Sequence, residues 1–334
     1  MPRNVLADRL KGYACFLVLF GHVIMGMRNA DIQMPSFFGG LESFIWSFHV
    51  SLFLYLSGAV YKITGEWQSK KTRGGFIKHK LLNLGVPYVV FSAVYIAINS
   101  FVGGANTRSS LWDILDIWKT PVAQYWFLYA LFFLFCLWTA LSGCLKNWQI
   151  TLFTVSAAYL APLFGVQFGS FEVVVFSALA FGLGTCTDIE QIAEIPTKFK
   201  PIAIFIHLAV AIILIKIGIN EYPIAKEALT VLGILASILF ISMLQQIKPV
   251  AAFLDFMNKY SFQIYLLHTI FTAGVRIILL SFGITQWWLH ILAGCVCGTA
   301  FSVLAAVICK RVKILNACFF PTKAFGKKTV TNCK

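Results

Sequence analysis

The chain reads as a succession of apolar runs, parted from one another by short polar segments rich in Lys, Gly, Pro or Asn. A transmembrane helix needs roughly 17 to 25 mainly apolar residues. On that criterion ten spans fall near 12–28, 41–61, 84–102, 122–142, 150–165, 171–187, 202–219, 228–244, 261–282 and 287–309. None sustains a two-residue alternation, so helices are expected and a membrane barrel is not. The pattern predicts an all-α polytopic integral membrane helical bundle of about ten transmembrane helices. Residues 1–312 form its transmembrane domain and 313–334 a basic cytoplasmic tail. Composition agrees, because 59% of the 334 residues are hydrophobic and only 12% charged, more apolar surface than a water-soluble domain carries.

Charge orients the bundle. An even number of spans leaves both termini on one side, and the termini together with the loops near 62–83, 143–149, 188–201 and 245–260 hold 21 of the 27 Lys and Arg. The positive-inside rule therefore places both ends in the cytoplasm. The net charge of +14 reads as topology, and without a soluble basic domain it gives no support to nucleic-acid binding. The first span lacks a small-residue cleavage site and is expected to be a retained helix. The nine cysteines scatter through the spans and the tail, and Cys295-Val-Cys297 has the wrong spacing for a metal knuckle or a redox pair. Packing is their expected role, and no metal is expected.

Candidate chemistry lies where polar groups enter spans that bilayer energetics would keep apolar. Lys11 and His22 are eleven residues apart in the first span. At about 100° and 1.5 Å per residue they share one helix face, a cation at the membrane edge and an imidazole ~16 Å further in. An ionisable group at that depth needs a partner or a wet cavity, which marks His22 as functional; a helix-helix hydrogen bond is the alternative. In the second span, Phe48-His-Val-Ser-Leu-Phe-Leu-Tyr-Leu-Ser-Gly58 brings His49 in from the opposite surface, ~12 Å below that edge, with the same alternative. Arg73-Gly-Gly-Phe-Ile-Lys78-His-Lys80 offers cations to the phosphates of a soluble donor, although topology alone also produces basic loops. His79 reads as solvated. Gln263, Tyr265 and His268 line up near the cytoplasmic edge of the ninth span, as a polar cleft or as interfacial anchors. Gln124-Tyr-Trp-Phe-Leu-Tyr129 is an aromatic belt or a sugar platform. Lys216 and Arg276 read as snorkelling residues, and His207 and His290 have no recognisable context.

These segments, in this order, resemble the acyltransferase 3 family of ten-helix membrane acyltransferases over almost the whole chain. Asp8-Arg-Leu-Lys-Gly12 with Gly21-His22 is similar to that family's opening signature, a basic residue, ten residues, then His. Phe48 to Gly58 is similar to its second-helix motif, Tyr125-Trp-Phe-Leu-Tyr129 to its fourth-helix motif, and Ile264-Tyr-Leu-Leu-His268 to its late-helix motif. The family often places two arginines, separated by two residues, where the third helix begins. Lys80 and Asn83 stand there in this chain, which keeps one charge without the planar fork and loses the other. Some relatives carry an appended hydrolase-like domain, whereas this chain ends soon after its tenth span, so transfer is expected to be completed within the bundle.

The resemblance implies a multi-pass protein of the cell membrane, the bacterial cytoplasmic membrane foremost. It implies transfer of an acyl group, most often acetyl, from cytoplasmic acyl-CoA to a sugar hydroxyl of a lipid-linked or exported glycan. Arg9, Lys11, Arg73, Lys78 and Lys80 would bind the polyanionic donor. His22 would be the base, assisted by His49 or His268. Asp8 would orient Lys11, while Ser57, Tyr125, Trp126, Tyr129 and Tyr265 are acceptor or relay candidates. The partners so implied are acyl-CoA, the glycan acceptor and membrane lipids. The rival class is a transporter or flippase of lipid-linked saccharides, in which buried His and Lys would couple protons or bind substrate. A scaffold of a glycan-export complex is the third, and it has no need of deep ionisable groups.

Overall fold

The protein is described by a computed structural model covering residues 4–65, 70–101, 110–220 and 222–325. The last nine residues of the expected basic tail, 326–334, lie outside the described residues. All the regular elements described are helical: α1 (Val5–Arg28), α2 (Phe37–Trp46), α3 (His49–Thr64), α4 (Lys70–Lys80), α5 (Val86–Phe101), α6 (Trp126–Leu141), α7 (Asn147–Leu160), α8 (Glu172–Phe176), α9 (Ala178–Cys186), α10 (Ile189–Ala193), α11 (Lys200–Lys216), α12 (Pro223–Leu244), α13 (Lys248–Lys259), α14 (Ser261–Ser281), α15 (Trp287–Arg311), α16 (Lys313–Phe319) and α17 (Pro321–Phe325).

Eight helical stretches among the described residues are long and apolar enough to cross a membrane: Val5–Arg28, Phe37–Thr64, Thr72–Phe101, Ala123–Leu141, Gly169–Cys186, Pro223–Leu244, Ser261–Ser281 and Trp287–Arg311. The other two expected spans, 150–165 and 202–219, coincide with α7 and α11, which are shorter at 14 and 17 residues. Large apolar side chains such as Phe205, Ile212, Ile213, Val296, Leu304 and Ile308 lie exposed along α11 and α15. An apolar surface of that kind requires lipid as its solvent.

Helix α1 is the hub. It packs against α2, α3, α10, α12, α13, α14 and α15, and 67% of its apolar stretch is inside the protein, against 22% for α15. A helix that is apolar on all sides buries all sides. The amphipathic α13 turns Ala251, Leu254 and Met257 inward and crosses α1 where Gly12 meets the Leu254 carbonyl.

Two interruptions shape the interior. The second span is not the single helix expected but breaks at Ser47 and Phe48, between α2 and α3. At the end of α2 the Phe44 and Ile45 carbonyls keep long backbone bonds from the Ser47 and Phe48 N–H groups, both at 3.3 Å, and side chains add shorter ones: Ser47 Oγ donates to Phe44 at 2.7 Å and His49 Nδ1 to Ile45 at 2.7 Å. In hydrocarbon no water is present to supplement a lengthened backbone bond, and these side chains do so instead. The second interruption is a π-helical turn, Leu81–Gly85, which joins α4 to α5 just before Pro87. Proline lacks the N–H that an α-helix requires, and the wider turn absorbs the misfit. Asn83 in this turn accepts a hydrogen bond from Thr322 of α17 at 2.8 Å, while Phe319 of α16 packs on Phe91. Residues 313–325 are thus folded against the bundle.

Helices α3 and α9 approach closely, with Gly58 against the Phe181 carbonyl and Gly184 against the Tyr55 carbonyl, where any Cβ would collide with backbone. Gly58→Ala and Gly184→Ala should each destabilise the protein by about 1–3 kcal/mol, as overpacking does. Thermal unfolding in detergent measures this, and melting at the wild-type temperature would mean that the two helices separate freely.

Candidate active site

A cavity of about 920 Å³ runs alongside α1, between α1, α3, α5, α6 and α14. Lys11 lines it near one end, with Ser261 and Phe262 of α14, and His22 lines it eleven residues further along. The expected axial alignment is therefore realised on a single wall. Trp46, Ser57, Gln124, Trp126 and Tyr265 also line the cavity. The wall contains no Asp or Glu among the described residues.

Three imidazoles gather beside it. His22 meets His268 edge to face at 4.8 Å between ring centroids, and Trp46 touches both His22 and His49, at 5.1 and 4.8 Å. Each ring uses Nδ1 in the same way: His22 toward the Val18 carbonyl at 2.9 Å, His49 toward Ile45 at 2.7 Å and His268 toward Ile264 at 2.7 Å. A carbonyl only accepts, so Nδ1 carries the proton and Nε2 is left as the basic nitrogen. The bond is made within the residue's own helix or, for His49, across the break, and the helix-helix bond considered for these histidines is not what Nδ1 makes. His49 and His268 are fully buried, and their Nε2 atoms have no partner among the described residues, as is true of Trp46 Nε1. His22 alone of the three faces the cavity. Buried polar atoms left unpaired are uncommon, and each calls for an explanation.

The remaining expected residues divide by helical phase. Asp8 is three residues before Lys11 and lies within electrostatic range of it. Arg9 is two residues away from Lys11, about 200° around the helix, and instead grips Asp255 of α13 at 3.1 Å and the Gln245 carbonyl at 3.2 Å. Arg73 packs beside Gly143, Lys80 lies 4.0 Å above the Phe135 ring, and Lys78 is exposed. None of these four lines the cavity, so within its wall the expected basic mouth comes down to Lys11. Tyr125 donates to the Leu266 carbonyl at 2.8 Å and Tyr129 meets Tyr88 with tilted rings, 6.0 Å between centroids, both behind the wall. The hydroxyls of Ser57 and Tyr265 are given to the carbonyls of Phe53 and Gln124 at 2.8 and 2.7 Å.

Residues 5–307 match a family model described as an acyltransferase domain, that of the acyltransferase 3 family. The chain belongs to that family. No curated protein and no solved structure matches it. It is thus a multi-pass membrane protein of an acyltransferase family. No group of three or more His, Cys, Asp or Glu among the described residues is placed to hold a metal ion.

Several wall residues of this acyltransferase-family chain carry no signal in the sequence. Trp46 falls in an apolar run, Asn99 is a single polar residue late in its span, and Thr269 and Thr272 lie in the middle of theirs. Arg276, expected to snorkel, instead lines the cavity and lies against Gly26, one turn beyond His22. The reason is the absence of a side chain at Gly26, where a Cβ would collide with the guanidinium.

Because His22 alone of the three opens on the cavity, diethylpyrocarbonate should modify it well before His49 or His268. Peptide mass spectrometry over a time course gives the three rates. Equal rates would mean that the buried pair is accessible and the assignment of a single working imidazole is wrong.

Proposed function

We propose that this protein transfers an acyl group, acetyl foremost, from cytoplasmic acyl-CoA to a sugar hydroxyl of a lipid-linked or exported glycan, within the bacterial cytoplasmic membrane. The observation that carries the reading is the placing of Lys11 and His22 on one wall of one cavity. In this reading the end of the cavity at Lys11 faces the cytoplasm, and the ammonium holds a phosphate of the donor through charge-assisted hydrogen bonds. The ~16 Å of α1 between Lys11 and His22 is a reach that an extended pantetheine arm spans, so the thioester arrives beside the imidazole.

His22 Nε2 takes the proton of the acceptor hydroxyl as its oxygen attacks the thioester carbonyl. The tetrahedral intermediate collapses with cleavage of the C–S bond, and the imidazolium returns the proton to the departing thiolate. Nδ1, tied to the Val18 carbonyl, holds the ring in register during both transfers. His268 and Trp46, in edge contact with the ring, position it. A direct transfer is favoured over an acyl-enzyme, because the hydroxyls of Ser57, Tyr125 and Tyr265 are each committed to a backbone carbonyl.

Purified protein should release free CoA from acetyl-CoA in the presence of acceptor glycan and leave label on it as an alkali-labile ester. His22→Gln, which keeps a hydrogen-bonding group of similar reach, should lower turnover by roughly 100- to 10,000-fold at normal abundance. Near wild-type turnover in that variant would move the base elsewhere, and movement of intact glycolipid without donor consumption would replace the reading by transport. Lys11→Ala should weaken donor affinity by roughly 10- to 100-fold, the loss of one charge-assisted contact, with Lys11→Arg retaining most of it. A fall in turnover at saturating donor with unchanged affinity would contradict that role.

A further inference from the structure

The joint between α13 and α14 lies at the Lys11 end of the cavity. Helix α13 ends at Lys259, α14 begins at Ser261, and Tyr260 is the single residue between them. Ser261 and Phe262 line the cavity wall, and the Ser261 carbonyl lies 3.8 Å from Cys15 Sγ, one turn along α1 from Lys11. Tyr260 is half-buried and packs on the cluster of Cys15, Met257 and Ile264, which fixes its ring at this rim.

Two ammonium groups meet at that ring. Lys259 Nζ lies 5.2 Å from its centroid, and Lys310 Nζ, from the last turn of α15, lies 5.9 Å from it. The two are therefore within about 11 Å of each other. Both side chains are exposed, and neither forms an ion pair among the described residues. The carboxylate one turn back along α13, that of Asp255, is held by Arg9. The positive-inside rule accounts for a lysine at either helix end, but not for two from separate helices sharing one ring beside a cavity mouth. The ring face attracts a cation, yet two like charges brought together without a carboxylate leave a positive potential that suits a dianion.

Acyl-CoA has three phosphoryl groups, two in the diphosphate next to the pantetheine arm and one on the 3′ oxygen of the ribose. In the acyl-transfer reading Lys11 meets the end of the pantetheine arm, and hence the diphosphate. The ribose phosphate then falls on the nucleotide side of that contact, outside the cavity wall, and needs cations of its own. We propose that Lys259 and Lys310, set around Tyr260, bind the ribose 3′-phosphate of the donor at the rim of the cavity. The proposal rests on the acyl-transfer reading above and adds the group by which coenzyme A is told from nucleotides that lack this phosphate.

Equilibrium dialysis against coenzyme A and 3′-dephospho-coenzyme A tests this without turnover, with the full-length protein in nanodiscs of phosphatidylcholine, which has no net charge to compete for the lysines. Wild type should bind coenzyme A roughly 5- to 30-fold more tightly, the range of two partly exposed ammonium–phosphate contacts, and the preference should shrink as salt is raised. Lys259→Gln and Lys310→Gln should each reduce the ratio. The double variant should bring it close to one while keeping the wild-type affinity for the dephospho form, and arginine at both positions should preserve it. Lys11→Ala should weaken both nucleotides alike and leave the ratio unchanged.

Equal binding of the two nucleotides by wild type overturns the site, as does a preference that survives in the double variant. Loss of both nucleotides from a double variant that melts at the wild-type temperature would assign the lysines to the diphosphate and overturn it as well. A preference for coenzyme A in protein that never consumes acyl-CoA would leave the site standing and remove the acyl-transfer reading instead.

Discussion

Three imidazoles lie inside a helical bundle, and each gives its Nδ1 proton to a carbonyl four residues earlier in the chain. Where water is absent, a buried donor must find an acceptor nearby, and the carbonyl of the preceding turn is the acceptor that a helix always offers. The consequence is chemical as well as structural. With Nδ1 committed, the only basic lone pair left on each ring is at Nε2, and its direction follows from the helix that carries it. Two of those lone pairs are sealed in protein and one opens on the cavity. The same interaction thus fixes the tautomer three times and lets packing choose which ring is reactive.

At His49 that bond also holds the fold. It spans the break between α2 and α3 and, with Ser47, adds a short bond to carbonyls whose backbone bonds there are as long as 3.3 Å. Thr230 of α12 adds a further bond to the Ser47 carbonyl at 3.1 Å. Thr230 in turn brings α12 against the break, while Trp46, the last residue of α2, is set between His22 and His49. A continuous helix would carry residues 46 and 49 down one uninterrupted face. Here the break positions the indole that the two rings share.

How much of this was legible in the sequence depended on whether the interaction is local. The alignment of Lys11 with His22 follows from helix period alone, and apolar run length locates eight of the spans, although the first and third helices begin well before their apolar runs, at Val5 and Thr72. The same period separates Arg9 from Lys11, since two residues turn a side chain to the far side of the helix; charge alone groups the two. The break at Ser47 and Phe48 contains neither Gly nor Pro, and it is held by α12, which lies far away in sequence. Arg276 is the clearest case of a non-local placement. Alone in an apolar helix it reads as a snorkelling residue, and only the pairing of α14 with Gly26 of α1 turns it toward the cavity.

Those placements make α1 the ruler of the cavity. Lys11, His22 and Gly26 occupy one face at intervals of eleven and four residues, so a cation, a base and the seat of a second cation succeed one another along a single rigid wall. Helix geometry sets their separations at ~16 Å and ~6 Å, and α1 is packed among seven neighbouring helices. The unequal spacing matters. It leaves a long apolar stretch on the Lys11 side of the imidazole and a short polar one on the Arg276 side, lined by Asn99 and Thr272. In the proposed transfer the long flexible donor occupies the first, and the acceptor hydroxyl approaches from the second. Their reacting ends can meet only where the imidazole is.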